Sequence, residues 1–78
     1  MNTPFRQFQA FHATIEHGTV TGAAEHLGIS QPAISNLLAQ LERRTKLRLF
    51  ERSRGRLLPT PEAVVLFDEI DTVVRGLD

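Results

Sequence analysis

The run Ala23-Ala24-Glu25-His26-Leu27-Gly28-Ile29-Ser30-Gln31-Pro32-Ala33-Ile34-Ser35 constrains this chain more than any other stretch. It reads as the end of one helix, a tight turn and the start of a second. Leu27 closes the first helix, and Gly28 can take the left-handed backbone conformation that strains a residue with a Cβ. Ser30 is placed to cap the next helix, and Pro32 lies in its first turn, where a missing N–H costs nothing. Too few residues separate the two for a wandering loop. The pattern is that of a helix-turn-helix, whose second helix opens with small and polar residues able to face base edges.

A chain of 78 residues has room for one small domain with a modest core. It has no cysteine, so no disulfide supplements that core, and a reducing cytoplasm is the expected setting. No apolar run reaches the length of a membrane span, and the N-terminus lacks the basic-then-apolar pattern of a signal peptide. Formal net charge is zero, yet seven of the nine basic residues fall between Arg43 and Arg56. These are Arg43, Arg44, Lys46, Arg48, Arg52, Arg54 and Arg56, while the acids lie mainly elsewhere. A polyanion meets a local patch before it meets a molecular total. A charge run is ordinarily a solvated face, but this one directly follows the helix-turn-helix.

Phe5, Phe8, Phe11, His12 and Ile15 recur at helical spacing and predict a first helix from Pro4 to His17, with Thr3 as its cap and Gly18 as its stop. Thr19 or Thr21 can cap the second helix, whose buried side carries Val20, Ala23, Ala24 and Leu27. The third is expected from Gln31 to about Arg44, with Ile34, Leu37, Leu38 and Leu41 as its apolar stripe. At about 100° per residue, Pro32, Asn36, Ala39 and Arg43 fall opposite that stripe, flanked by Ser35 and Gln40. That face has no acid and no large apolar residue, which suits a phosphate-lined groove.

Leu47 to Arg52 and Arg56 to Leu58 have the length of strands, with Gly55 marking a tight turn in Ser53-Arg54-Gly55. Thr60 with Pro61 and Glu62 then restarts a helix. Ala63, Leu66, Ile70, Val73 and Leu77 form a heptad-like seam, widened by Val64, Val65, Phe67 and Val74. This helix carries more apolar surface than one small domain buries, so it is expected to pack on a partner as well.

Taken together, the chain resembles the N-terminal DNA-binding domain of a LysR-type transcriptional regulator. The resemblance rests on Phe8-Gln9-Ala10-Phe11, on Gly18 through Leu27, on Ile29 through Ser35, on Gln40-Leu41-Glu42 and on Leu49-Phe50-Glu51-Arg52. It implies a mainly α fold with a small β-hairpin: a winged helix-turn-helix over residues 1–59 and a linker and dimerisation helix over 60–78. It implies a bacterial regulator that binds an interrupted palindrome in double-stranded promoter DNA as a homodimer. Any small-molecule effector would act only through a larger C-terminal domain absent from this chain. Asn36 stands where many members carry arginine. The usual Thr-x-Ala-Gly that opens the last helix is replaced by Thr60-Pro61-Glu62-Ala63-Val64, a change expected to bend or shift its start. The molybdate-responsive regulators share a similar N-terminal domain.

With the third helix in a major groove, Gln31, Pro32, Ala33, Ser35 and Asn36 are the expected base readers. Gln31 and Asn36 can bridge adenine N6 and N7, and Pro32 and Ala33 can pack on a thymine methyl. The plain alternative for Gln31 is helix capping, and for Ser35 a bond to a carbonyl one turn back. Thr21, Ser30, Gln40 and Arg43 are placed for phosphates, and Arg54 and Arg56 for the minor groove or a phosphate. Arg44, Lys46 and Arg48 suit a helix C-terminus on electrostatic grounds alone, and Arg52 could pair with Glu42 or Glu51. Val65, Leu66, Ile70, Val73, Val74 and Leu77 are the expected dimer contacts. His12, His17 and His26 show no tight ligand spacing and no clustered carboxylates, so neither metal nor cofactor is expected. Nothing resembles a nucleophile–base pair or a glycine-rich phosphate loop, so the chain is not expected to be an enzyme. A winged helix serving only as a protein-binding module is the competing reading, but it would need neither the acid-free face nor the basic wing.

Overall fold

The computed structural model describes residues 4–54 and 56–76; Thr3, Gly55 and Leu77, singled out above, lie outside them. Four helices and one hairpin follow in the order α1 (Pro4–His17), α2 (Val20–Leu27), α3 (Gln31–Thr45), β1 (Phe50–Ser53), β2 (Arg56–Pro59) and α4 (Pro61–Gly76). Each early boundary has a local cause. Thr19, not Thr21, caps α2: its hydroxyl accepts from the Gly22 amide at 2.9 Å. Gly28 closes α2 at φ 69° and donates its N–H to the Ala24 carbonyl, which settles a carbonyl the helix would otherwise leave open. Ser30 accepts from the Ala33 amide and starts α3 at the next residue, Gln31.

Around one core, α1 lies against α2, α3 and α4. Phe11, Ile34, Leu41 and Leu49 are fully buried, joined by Ala10, Ala23 and Ala63 at the close helix crossings. Phe50 lays its ring 5.8 Å from that of Phe11 and so ties the hairpin to α1.

One expectation changes. Leu47 to Leu49 is not strand, although the pattern extended β1 that far. The register pairs Phe50 with Pro59, and beyond Pro59 the chain turns into the cap of α4, leaving no strand opposite residues 47–49. The amides of Leu49 and Phe50 bond instead to the Glu42 carboxylate at 2.7 and 3.3 Å. Helix α4 begins at Pro61, directly after the expected Thr60 cap. The Thr60 hydroxyl accepts from the Ala63 amide at 3.2 Å and donates to the Arg48 carbonyl at 2.6 Å, a cap that needs no glycine.

Candidate nucleic-acid interface

Helix α3 presents the face its sequence pattern laid out. Gln31, Pro32, Ser35, Asn36 and Arg43 are exposed, and Ala33, Ala39 and Gln40 are half-buried at its flanks. Ile34, Leu37, Leu38 and Leu41 face inward. Ser30 is exposed beside the N-terminal turn, but its hydroxyl already caps the helix. Because Thr19 is the cap of α2, the hydroxyl of exposed Thr21 is left for other use.

The hairpin stands beside α3 and brings distant residues together. A cleft of about 310 Å³ is lined by Thr19, Thr21, Arg52, Arg56 and Leu57. A second, of about 210 Å³ between α3 and the hairpin, is lined by Ser35, Ala39, Arg52 and Phe50 among others. Thr21 and Arg56, 35 positions apart, thus border one cleft, and Ser35 borders the next. Arg54 is exposed at the tip with φ 53°, in the left-handed region.

Arg52 borders both clefts, and sequence reasoning undervalued it. A pairing with Glu42 or Glu51 was one alternative for it, yet among the described residues Arg52 makes no ion pair, and Glu42 accepts from backbone amides instead. The register Arg52↔Leu57 opposite Ser53↔Arg56 carried the signal, once the strands were paired correctly.

On the far side of α3, buried Gln7 of α1 donates to the Gln40 side-chain carbonyl at 3.2 Å and accepts from Arg44 Nε at 3.1 Å. Arg44 therefore has a partner beyond the helix dipole.

The histidines were expected to stand apart from carboxylates, and His12 does not. Helix α4 carries Asp71 to within 2.8 Å of His12 Nε2, and Glu16 lies 4.0 Å from Nδ1. These three could in principle hold a metal ion. Arg75 already supplies a cation there, 2.9 Å from Asp71 and 3.6 Å from Glu16. The His12 ring, stacked on Phe67 at 4.8 Å, and then Arg75 hold the Asp71 carboxyl below its ordinary value of 3.8. The group locks α1 to α4. His17 and His26 lie with ring centroids 4.7 Å apart where α1 and α2 end.

Of the expected dimer contacts, Val65 and Val73 are 63 % and 60 % exposed, with Val64 beside them. Leu66 and Val74 are half-buried, and Ile70 is packed into the protomer's own core.

The model of the family described as "Bacterial regulatory helix-turn-helix protein, lysR family" matches residues 5–64. The chain belongs to the lysR family. Among curated lysR-type relatives, the octopine catabolism/uptake operon regulatory protein OccR of Rhizobium meliloti is 47 % identical over 94 % of this chain and 25 % of its own length. The transcriptional activator protein LysR of Escherichia coli K12 is 45 % identical over 94 % of this chain and 24 % of its own. The chain thus spans about a quarter of the length of these regulators. Its fold is the winged helix-turn-helix of the family's DNA-binding domains. The BenM domain in complex with catB site 1 DNA superimposes with a TM-score of 0.86 at 28 % identity, over 100 % of this chain and 82 % of that one. The CbnR domain in a DNA complex gives 0.85 at 28 % identity, over 99 % and 86 %.

Proposed function

We propose that this chain is the sequence-specific DNA-binding module of a bacterial transcription regulator, acting as a homodimer on an interrupted palindrome in promoter DNA. The observation that carries the reading is the exposed, acid-free face of α3 standing beside a hairpin that bears Arg52, Arg54 and Arg56. A helix fits the B-DNA major groove, and the hairpin then falls over the adjacent backbone. In this reading Gln31, Pro32, Ala33, Ser35 and Asn36 meet base edges. Thr21, Ser30, Gln40 and Arg43 contact phosphates, with Arg52 added by its place in both clefts. Arg54 and Arg56 engage the minor groove or its phosphates.

Residues 1–59 are the reading unit, and 60–78 the linker and dimerisation helix, centred on exposed Val65 and Val73. The module works in the cytoplasm, has no chemistry of its own, and needs neither metal nor cofactor. Response to a small molecule belongs to a C-terminal domain outside this chain. The DNA complexes of the BenM and CbnR domains support the mode of binding by analogy.

In vitro selection from a random duplex pool tests the proposal. The expected product is a pair of inverted half-sites separated by a fixed spacer. Recovery of unselected sequences after several rounds would overturn sequence-specific binding.

A further inference from the structure

Glu42 is the one acid in α3, and it borders the cleft between that helix and the hairpin with Ser35, Ala39 and Arg52. On a surface proposed to meet phosphates, its charge works against binding. The carboxylate is instead engaged with the backbone. One oxygen, Oε2, accepts from two successive amides, Leu49 N at 2.7 Å and Phe50 N at 3.3 Å. Both bonds reach the root of the hairpin, since β1 starts at Phe50. The carbonyl side of the same stretch is taken by Thr60. Its amide donates to the Leu49 carbonyl at 3.0 Å and its hydroxyl to the Arg48 carbonyl at 2.6 Å. The root is thus bonded to α3 through its amides and to the cap of α4 through its carbonyls. Leu49 in the core and Phe50 on Phe11 also hold the root, but apolar contact is non-directional. The paired bonds to Glu42 set its angle to α3.

That angle matters because the hairpin arginines stand away from the root. At about 3.4 Å per residue, Arg54 lies about 14 Å beyond Phe50, so a root tilt of about 10° moves its Cα by about 2 Å. Hydrogen bonds span only about 2.7 to 3.2 Å between heavy atoms, so such a shift takes a guanidinium in a fixed conformer off its phosphate. We infer that Glu42 is a positioning residue for DNA binding: its bonds to the Leu49 and Phe50 amides hold the hairpin at the angle to α3 from which its arginines reach DNA. The inference deepens the proposed function and rests on its placing of the hairpin.

The test compares wild type with Glu42→Met, Glu42→Gln, the pair Arg54→Ala and Arg56→Ala, and that pair combined with Glu42→Met. Fluorescence anisotropy is measured at several salt concentrations on two duplexes, one selected by the protein and one unrelated, with folding followed by thermal melts. Methionine has the length of glutamate but no accepting oxygen. Glu42→Met is expected to weaken both duplexes about 10-fold, the scale of one hydrogen bond to a charged group. The salt slope should flatten by about one unit for a lost phosphate contact. Loss of a negative charge alone would tighten both duplexes, so the sign separates positioning from electrostatics. Glu42→Gln also drops the charge but keeps an oxygen with two lone pairs, and should restore most of the loss. Without Arg54 and Arg56, Glu42→Met should cost less than it does in wild type, because the contacts it misplaces are already gone. A role in folding alone would lower the melting temperature and leave the salt slope as it is.

Glu42→Asp covers the case in which Glu42→Met fails to fold. It keeps the charge and shortens the reach by one carbon–carbon bond, about 1.5 Å. It should weaken both duplexes more than Glu42→Gln does. Wild-type affinity and slope in folded Glu42→Met, equal losses in Glu42→Gln and Glu42→Met, losses that multiply in the combined variant, or Glu42→Asp no weaker than Glu42→Gln would overturn the positioning role alone. Unchanged binding by the Arg54→Ala and Arg56→Ala pair would take the hairpin off DNA. Failure of the wild type to bind either duplex would overturn the DNA reading, and the positioning role falls with either.

Discussion

Asn36 carries the sharpest expectation at the scale of a single residue. Its short neutral side chain offers one donor and one acceptor, and it is exposed on a helix face without acids. That chemistry matches an adenine edge better than an arginine in its place would. Asn36→Ala is therefore expected to cost about 1–3 kcal/mol on the preferred site and little on unrelated DNA. Competition titrations read the difference directly, and an equal loss on all sequences would assign Asn36 to a phosphate instead. Asp71 gives a second residue-scale prediction, concerning stability. Its carboxyl is held below 3.8 by His12 and then Arg75, with Glu16 as the remaining charged neighbour. A depressed folded-state value stabilises the fold above the unfolded-state value, and this is lost as pH falls through 3.8 and below. Denaturation of wild type and Asp71→Asn should thus differ near neutral pH and converge as pH drops from about 5 to about 2. A constant difference across that range would dissociate Asp71 from acid sensitivity.

Elements whose signals are local were legible, and those whose partners are distant were not. Proline, serine and threonine caps with Gly28 placed the starts of α1, α2 and α3 and the turn between α2 and α3, because each cap acts within one helical turn. The hairpin was legible as a pair of strands, but its length was not. Strand needs a partner, and whether residues 47–49 have one depends on where β2 ends at Pro59. The same reason hid Arg52 from the candidate site and hid both polar locks on α1. His12 meets Asp71 across 59 positions and Gln7 meets Gln40 across 33, separations that no periodicity reports. The cap of α4 shows how a local motif can carry a long-range role, since Thr60 bonds both Ala63 and the Arg48 carbonyl before β1. Thr60→Val keeps the shape and removes both bonds. It is expected to cost about 1–3 kcal/mol in denaturant titration. A change within error would mean that packing of Ala63 and Ile70 alone holds α4.

Over the whole molecule, α3 and the hairpin carry the exposed basic residues, while α4 exposes Val64, Val65 and Val73. Exposed Val73 lines a groove of about 260 Å³ together with Phe5, Phe8, Leu66, Glu69, Ile70 and Val74, and Val65 is exposed on the same helix. A second copy is the proposed cover. Val73→Glu is expected to shift sedimentation toward monomer with the melting temperature little changed, and to weaken binding to paired half-sites more than to one. Ile70→Glu would be a poorer test, since Ile70 is 8 % exposed and belongs to the protomer's own core. If Val73→Glu left the sedimentation of an assembled wild type unaltered, the dimer contact would lie elsewhere. In the proposed complex α3 and the hairpin together form the surface that meets DNA. An NMR titration of the isotope-labelled chain with a selected duplex tests it most directly. Amide shifts are expected to concentrate at residues 19–21 and 30–36 and at Arg52, Arg54 and Arg56, with the Val65–Val73 face of α4 unmoved by the duplex. Shifts confined to that α4 face, or a spectrum unchanged by saturating DNA, would contradict it.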